Sequence, residues 1–311
     1  MRDHLLSLIG KAAETRPDTI FLTGDLGFSA VEPLQKQLGA HFINAGISEA
    51  NMVSMAASLS KCGYEPYLYS ITPFITARCY EQVRNDLCYQ QARVRLFGFG
   101  AGFSYGTLGP SHHALEDATI MATLPEMTVF SPATVSELDR LFEMSAAIPG
   151  PIYFRIARED GPSLPAPPFD LDSPVAVWRT GSDINLVTSG CLSISVFGAA
   201  DQLKKAGYNV QLVTVPVLAP FPYEALARSL CNAPILVAFE GYLGNPLETG
   251  VLTALAERPT GKAIRLVNAG RSFAKYVGGT NYQRELFGLS ENAITASALA
   301  LIESAPLTAT G

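Results

Sequence analysis

The sequence predicts an α/β protein of two domains, each a mostly parallel sheet flanked by helices. Three observations carry that prediction. Short apolar runs bounded by glycine, proline or polar turns alternate along the chain with segments of helical periodicity, the pattern of strands spaced by helices. The 311 residues are 48% hydrophobic and only 16% charged, enough for two buried cores. Residues 161–174 hold five prolines, a density that no helix or inner strand survives. That stretch divides the chain into a first domain over 1–160, a linker over 161–180 and a second domain over 181–311.

Composition excludes several function classes. Net charge is −6 and no basic patch stands out, which argues against a nucleic-acid partner. The apolar run after Met1-Arg-Asp-His is too short for a signal peptide. The most apolar long segment, 184–200, is interrupted by Asn185, Thr188, Ser189 and Gly190, so it reads as strand, turn and helix in a core rather than a membrane span. Five cysteines without a CxxC pair fit reduced thiols in a cytoplasmic protein. The four histidines form no metal-ligand cluster.

In chain order, residues 3–14 read as a helix and 18–24 as a buried strand. The strand ends in Gly24-Asp25-Leu26-Gly27-Phe28-Ser29, and a glycine-rich turn after a strand is where an open α/β sheet places ligands. A short strand over 41–45 runs into Gly46, and a helix then opens with Ser48 at its N-cap. Met52, Val53, Met55, Ala56 and Leu59 recur at helical spacing, so the helix is mostly buried and Glu49 stands at the mouth of its buried end. A first-turn carboxylate suits the helix dipole. A buried one needs a partner or a raised pKa.

Residues 66–70 form the next strand, and Pro73 starts a helix running through Tyr89. Its aromatics, Phe74 and Tyr80, suit either the core face of an amphipathic helix or the wall of a pocket. After a strand over 94–99, the stretch from Gly100 to His113 is too rich in glycine to be held by its own side chains. It suits a chain packed against a ligand or another subunit. Helices over 114–123 and 134–147 and strands over 127–130 and 151–158 complete the first domain. The second alternates strands over 184–188, 210–215 and 235–239 with helices over 192–206 and 223–230. A loop over 271–279 precedes a last helix capped by Ser290.

The run Asn44-Ala-Gly-Ile-Ser-Glu49-Ala-Asn-Met52 resembles the glutamate motif of the pyrimidine-binding domain in the transketolase family of thiamine diphosphate enzymes. The resemblance implies that Glu49 hydrogen-bonds a ring nitrogen of the cofactor's aminopyrimidine and drives it to the imino form, which takes the proton from the thiazolium carbon. It implies further that Asp25 and Leu26 lie close to the cofactor and Ser29 at the substrate entrance. The segment 74–86 resembles the one whose aromatics line the aminopyrimidine pocket, which makes Phe74 and Tyr80 the candidates for that wall. The family's stacking phenylalanine falls near Ala77. Gly109-Pro110-Ser111-His112 resembles the family's Gly-Pro-Thr-His, so His112 is expected to face the substrate in a catalytic role, with His113 beside it. On the strand over 151–158 the family keeps an arginine that meets a substrate phosphate or carboxylate. Arg155 matches best and Arg158 second, and a planar, always-charged fork suits an oxyanion. The turn starting at Glu240 resembles one in the family's C-terminal domain and reads as interface or structure.

The departures from the family are as informative. Leu108 stands where transketolases of sugar phosphates carry an aspartate, and Gly100 near an upstream substrate-binding histidine. The family's Gly-Asp-Gly motif, whose aspartate and a later asparagine hold the diphosphate through Mg2+, is absent from the sequence. The chain is therefore expected to be the pyrimidine-side subunit of a two-chain transketolase-like enzyme, moving a two-carbon ketol unit between sugar-like substrates. The partner subunit would bring the diphosphate and Mg2+ ligands, in an α2β2 assembly. Two other readings are the β subunit of a 2-oxo acid dehydrogenase or a 1-deoxyxylulose-phosphate-synthase-like chain, and a catalytically silent regulatory subunit.

Overall fold

The computed structural model describes residues 1–256 and 261–304; the end of the second expected domain, 305–311, lies outside the described residues. Six strands form a parallel sheet: β1 (Thr19–Thr23), β2 (Phe42–Asn44), β3 (Glu65–Ile71), β4 (Arg95–Phe99), β5 (Thr128–Phe130) and β6 (Ile152–Ile156). Their order is β2-β1-β3-β4-β6-β5. The inner strands are apolar runs buried along their length, as in Arg95-Leu-Phe-Gly-Phe99, because helices cover both faces. A second sheet holds β7 (Ala176–Arg179), β8 (Ile184–Thr188), β9 (Val210–Thr214), β11 (Ile235–Ala238) and β12 (Ile264–Val267), in the order β12-β11-β8-β9-β7. All are parallel except the edge strand β7.

The remaining strand, β10 (Val217–Ala219), leaves the second unit and pairs antiparallel with β5, Val217 opposite Phe130. The main apolar cluster runs across both units, from Leu22, Val53 and Leu96 to Val187, Val213 and Val237.

Three sequence expectations are corrected. The segment 73–89 is not one helix. A single turn, Thr72–Ile75, ends where the Thr76 hydroxyl donates to the Thr72 carbonyl oxygen (2.7 Å), and winding resumes at Tyr80–Gln82 and widens into a π-helical turn, Val83–Cys88. The helix expected over 114–123 is only Asp117–Ala122. Residues 176–179, expected in the linker, are strand β7. Ser48 sits at the N-cap of helix Glu49–Lys61, but its hydroxyl accepts no backbone N–H. By contrast Thr134 caps helix Val135–Ser145 with its side chain, which accepts from the Glu137 N–H.

Candidate active site

Strand order locates the site. From β1 the chain moves outward to β2, then crosses back to β3 and on to β4 on the other side. The switch point of the first sheet therefore lies between β1 and β3, and ligands of open α/β sheets bind beyond the carboxyl ends of the strands at such a point. The segments leaving those ends are the Gly24–Ser29 turn, the Gly46–Glu49 helix start, the Thr72–Arg78 turn and the glycine-rich loop after β4.

Two contacts draw the first two segments together. Asn44 accepts the Asp25 and Gly46 N–H groups (2.9 Å each), and its own amide donates to the Asp25 carboxylate (3.2 Å). Gly24 lets helix Glu49–Lys61 come close, since a Cβ there would stand 3.1 Å from the Gly46 carbonyl oxygen and 3.5 Å from Glu49 Cγ. Glu49 is consequently 3% exposed. Its side-chain partner is Arg78, whose Nη1 donates to Oε2 at 2.8 Å. Arg78 is 44% exposed and lays its guanidinium on the Phe74 ring, 4.0 Å from the centroid.

The row continues along the sheet end. The Phe74 ring meets His112 edge-on at 5.3 Å, His112 meets Tyr105 at 6.3 Å, and the exposed Arg158 lies 5.8 Å from the Tyr105 ring centre. His112 is half-buried, with Nδ1 3.0 Å from the Ser111 hydroxyl. Glu49, Phe74 and His112, predicted from separate motifs, thus belong to one continuous surface. Asp25 and Ser29 lie exposed on the turn after β1, both with positive φ (48° and 67°), and Leu26 is half-buried beside them.

Three candidates lie elsewhere. Arg155 is 1% exposed and spends its donors inside the protein: Nε on Asp117 (2.9 Å), Nη2 on the carbonyl oxygens of Ala114 and Glu240 (2.9 Å each), and Nη1 toward Cys191 Sγ (3.3 Å). Buried and committed to these partners, Arg155 is out of reach of an incoming oxyanion, so the expectation that it meets substrate is corrected; Arg158, by contrast, is exposed. Tyr80 packs on the core and its hydroxyl bonds Thr123 Oγ1 (2.9 Å), a consequence of the break in winding at 76–79. His113 is 4% exposed, edge-on to Phe103 at 5.1 Å, with Nε2 3.4 Å from the Gly106 carbonyl oxygen. Burial pulls its pKa below the ordinary histidine value, so it is a neutral brace of the loop.

Sequence reasoning gave Arg78 and Tyr105 no role. A signal for Arg78 was present in its distance of four residues from Phe74, on a segment that the sequence pattern reads as helical. A groove of about 570 Å3 lined by Phe130, Ile148, Val217, Phe221 and Tyr223 lies at the opposite edge of the sheet and contains none of the site residues.

Residues 1–163 match the family model of the transketolase pyrimidine-binding domain. The chain belongs to that family. Among its curated relatives is the 6-deoxy-6-sulfo-D-fructose transketolase subunit SqwH of Clostridium sp., 28% identical over 305 residues, covering 96% of this chain and 93% of the relative. Another is an apulose-4-phosphate transketolase subunit of Actinobacillus succinogenes, 28% identical over 274 residues, covering 87% of this chain and 88% of the relative. A split-gene transketolase solved as an inactive β4 tetramer superposes with a TM-score of 0.84 at 25% identity, over 97% of both chains. These transketolase relatives are matched over nearly their whole length, so the likeness includes the second unit as well as the pyrimidine-binding one.

Proposed function

We propose that this chain is the pyrimidine-side subunit of a two-chain, thiamine diphosphate-dependent transketolase that transfers a two-carbon ketol unit between sugar-like substrates in the cytoplasm. The observation that carries the reading is Glu49: a carboxylate 3% exposed, at the carboxyl end of the sheet beside its switch point, in a row with Phe74 and His112. Burying a carboxylate is costly, and its position against an open aromatic-lined face suits a flat ligand with N–H and ring-nitrogen groups. The residues fit the aminopyrimidine half of the cofactor. When bound, the cofactor supplies the carbon nucleophile that attacks the ketose carbonyl. Glu49 holds and moves the proton at the ring nitrogen, Phe74 supplies an apolar wall, and His112 handles a proton or hydroxyl of the substrate.

The diphosphate and its Mg2+ call for hard oxygen ligands. In this reading they come from a partner subunit carrying the Gly-Asp-Gly and asparagine residues, in an α2β2 assembly closed by a two-fold. Arg158 is placed to meet an anionic group at the far end of the substrate. Leu108, 52% exposed on the loop before His112, puts an apolar contact where a polar one would select ordinary sugar phosphates. The favoured donor is thus a modified ketose with an anionic end.

The test is Glu49→Gln in the assembled enzyme. The C2 proton exchange of bound cofactor and the ketol-transfer rate should both fall, by about 10²- to 10⁴-fold. Unchanged exchange sinks the assignment. A donor panel tests specificity: xylulose 5-phosphate or fructose 6-phosphate as best donor by a wide margin contradicts it.

A further inference from the structure

The ion pair at Glu49 is lopsided. Glu49 is 4% exposed in its side chain and Arg78 44%. Breaking the pair is cheap for the arginine, whose guanidinium returns to water, since half-exposed pairs contribute little. It is expensive for the glutamate, which would be left as a buried charge with no partner. Arg78 can therefore leave Glu49 readily only when another donor takes its place.

The chemistry of the displacing donor follows from what the guanidinium touches. It is planar, it donates N–H to the carboxylate at 2.8 Å, and it lies against the face of Phe74 at 4.0 Å from the ring centre. A 4-aminopyrimidine protonated at its ring nitrogen, or in its imino form, presents the same elements: a plane and an N–H donor aimed at the carboxylate. Glu49 and Phe74 are the two residues that the proposed function assigns to that ring. Guanidinium and aminopyrimidine compete for one carboxylate and one aromatic face.

We infer that Arg78 is an internal stand-in for the aminopyrimidine, a positioning residue that holds Glu49 and Phe74 in their binding arrangement and must swing out as the cofactor enters. The inference rests on the proposed function. It has a sign that neither a structural role nor a direct cofactor contact would give: removing Arg78 strengthens cofactor binding while weakening the chain on its own. A competitor filling the slot most of the time lowers apparent affinity by the fraction of open sites.

Thiamine diphosphate affinity is measured by titration calorimetry on the enzyme assembled with its partner subunit and Mg2+, for wild type, Arg78→Ala, Arg78→Gln and Glu49→Gln. Arg78→Ala and Arg78→Gln should bind about 3- to 10-fold more tightly than wild type, and Glu49→Gln more weakly. The isolated Arg78→Ala chain should melt below wild type. In the assembled wild type, cofactor should speed modification of Arg78 by phenylglyoxal, read by peptide mass spectrometry. Equal or weaker binding by both arginine variants, or unchanged or slower labelling of Arg78 with cofactor, overturns the inference. If Glu49→Gln binds weakly in that same experiment, the proposed function stands without it. If Glu49→Gln binds as tightly as wild type, both fall.

Discussion

Two buried glutamates, Glu49 and Glu240, each face an arginine at hydrogen-bond distance, 2.8 Å and 2.5 Å. At Glu240 every partner is buried and local freedom is gone. Arg284, 3% exposed in its side chain, bonds Oε2 and also the Cys191 carbonyl oxygen, while the Phe103 N–H donates to Oε1 at 2.6 Å. The Glu240 carbonyl oxygen takes Arg155, whose other donors hold Asp117 and Ala114. This network ties the loop after β4 and strand β6 to the second sheet. At Glu49 the partner is a half-exposed arginine on a single broken turn. Distance alone does not separate a clamp from a site. The exposure of the partner and the number of donors converging on the carboxylate do.

The sharpest way to break this comparison is to remove one partner from each pair. Arg284→Ala leaves Glu240 as an unpaired buried charge and should cost about 3–5 kcal/mol of stability in denaturant unfolding. Glu49→Gln, whose loss is expected in turnover, should change stability by about 1 kcal/mol or less. Equal destabilisation by the two substitutions would erase the distinction.

A smaller effect sharpens it at the clamp. Gly102 has φ +64°, and a Cβ there would stand 2.2 Å from Glu240 Oε1, which cannot swing aside because Phe103 and Arg284 hold that carboxylate. Gly102→Ala should therefore destabilise by about 1–3 kcal/mol. The same substitution at Gly39, where a Cβ meets nothing, isolates the backbone share of the cost.

The mildest test uses a third buried carboxylate. Glu137 accepts from the Ala133 N–H and the Thr214 hydroxyl, joining helix Val135–Ser145 to β9. Burial pushes its pKa from 4.5 up to about 7, against the pull of the Thr214 and Ala133 hydrogen bonds. Between these values the unfolded chain releases a proton that the folded chain keeps. Stability from this group therefore falls as pH rises from about 4.5 to about 7 and is flat above. Glu137→Gln should flatten that part of the stability–pH curve, measured by melting temperature at stepped pH.

Most inner strands were legible because a strand buried on both faces must be a short apolar run, and each such run is bounded by turn residues. The edge strands β7, β10 and β12 were not: β7 sits in a proline-rich tract, and β10 takes its partner from the other sheet. Nothing local in Val217–Ala219 encodes β5. Glu49, Phe74 and His112 were legible as motifs. Arg155 was preferred to Arg158 because a motif fixes spacing and not burial. Arg155 falls inside β6, under the second unit, while Arg158 lies past the strand end where the chain reaches solvent. Arg78 was missed because a helical pattern does not say whether a long cation extends to water or folds back onto a carboxylate.

Strand β10 has a consequence for dissecting the molecule. By pairing with β5 it covers one rim of the six-stranded parallel array, and it does so from sequence about ninety residues further on. A fragment ending near residue 163 would carry every group of the candidate site, yet leave the N–H and C=O row of Thr128–Phe130 open along that rim. Such a rim recruits strands from other molecules, so the fragment should associate through a rim that the whole chain keeps covered. The second unit is thus a chaperone in cis for the first: it contributes no group to the row from Glu49 to Arg158, and it keeps the β5 rim of the sheet that bears that row from being extended by a stranger.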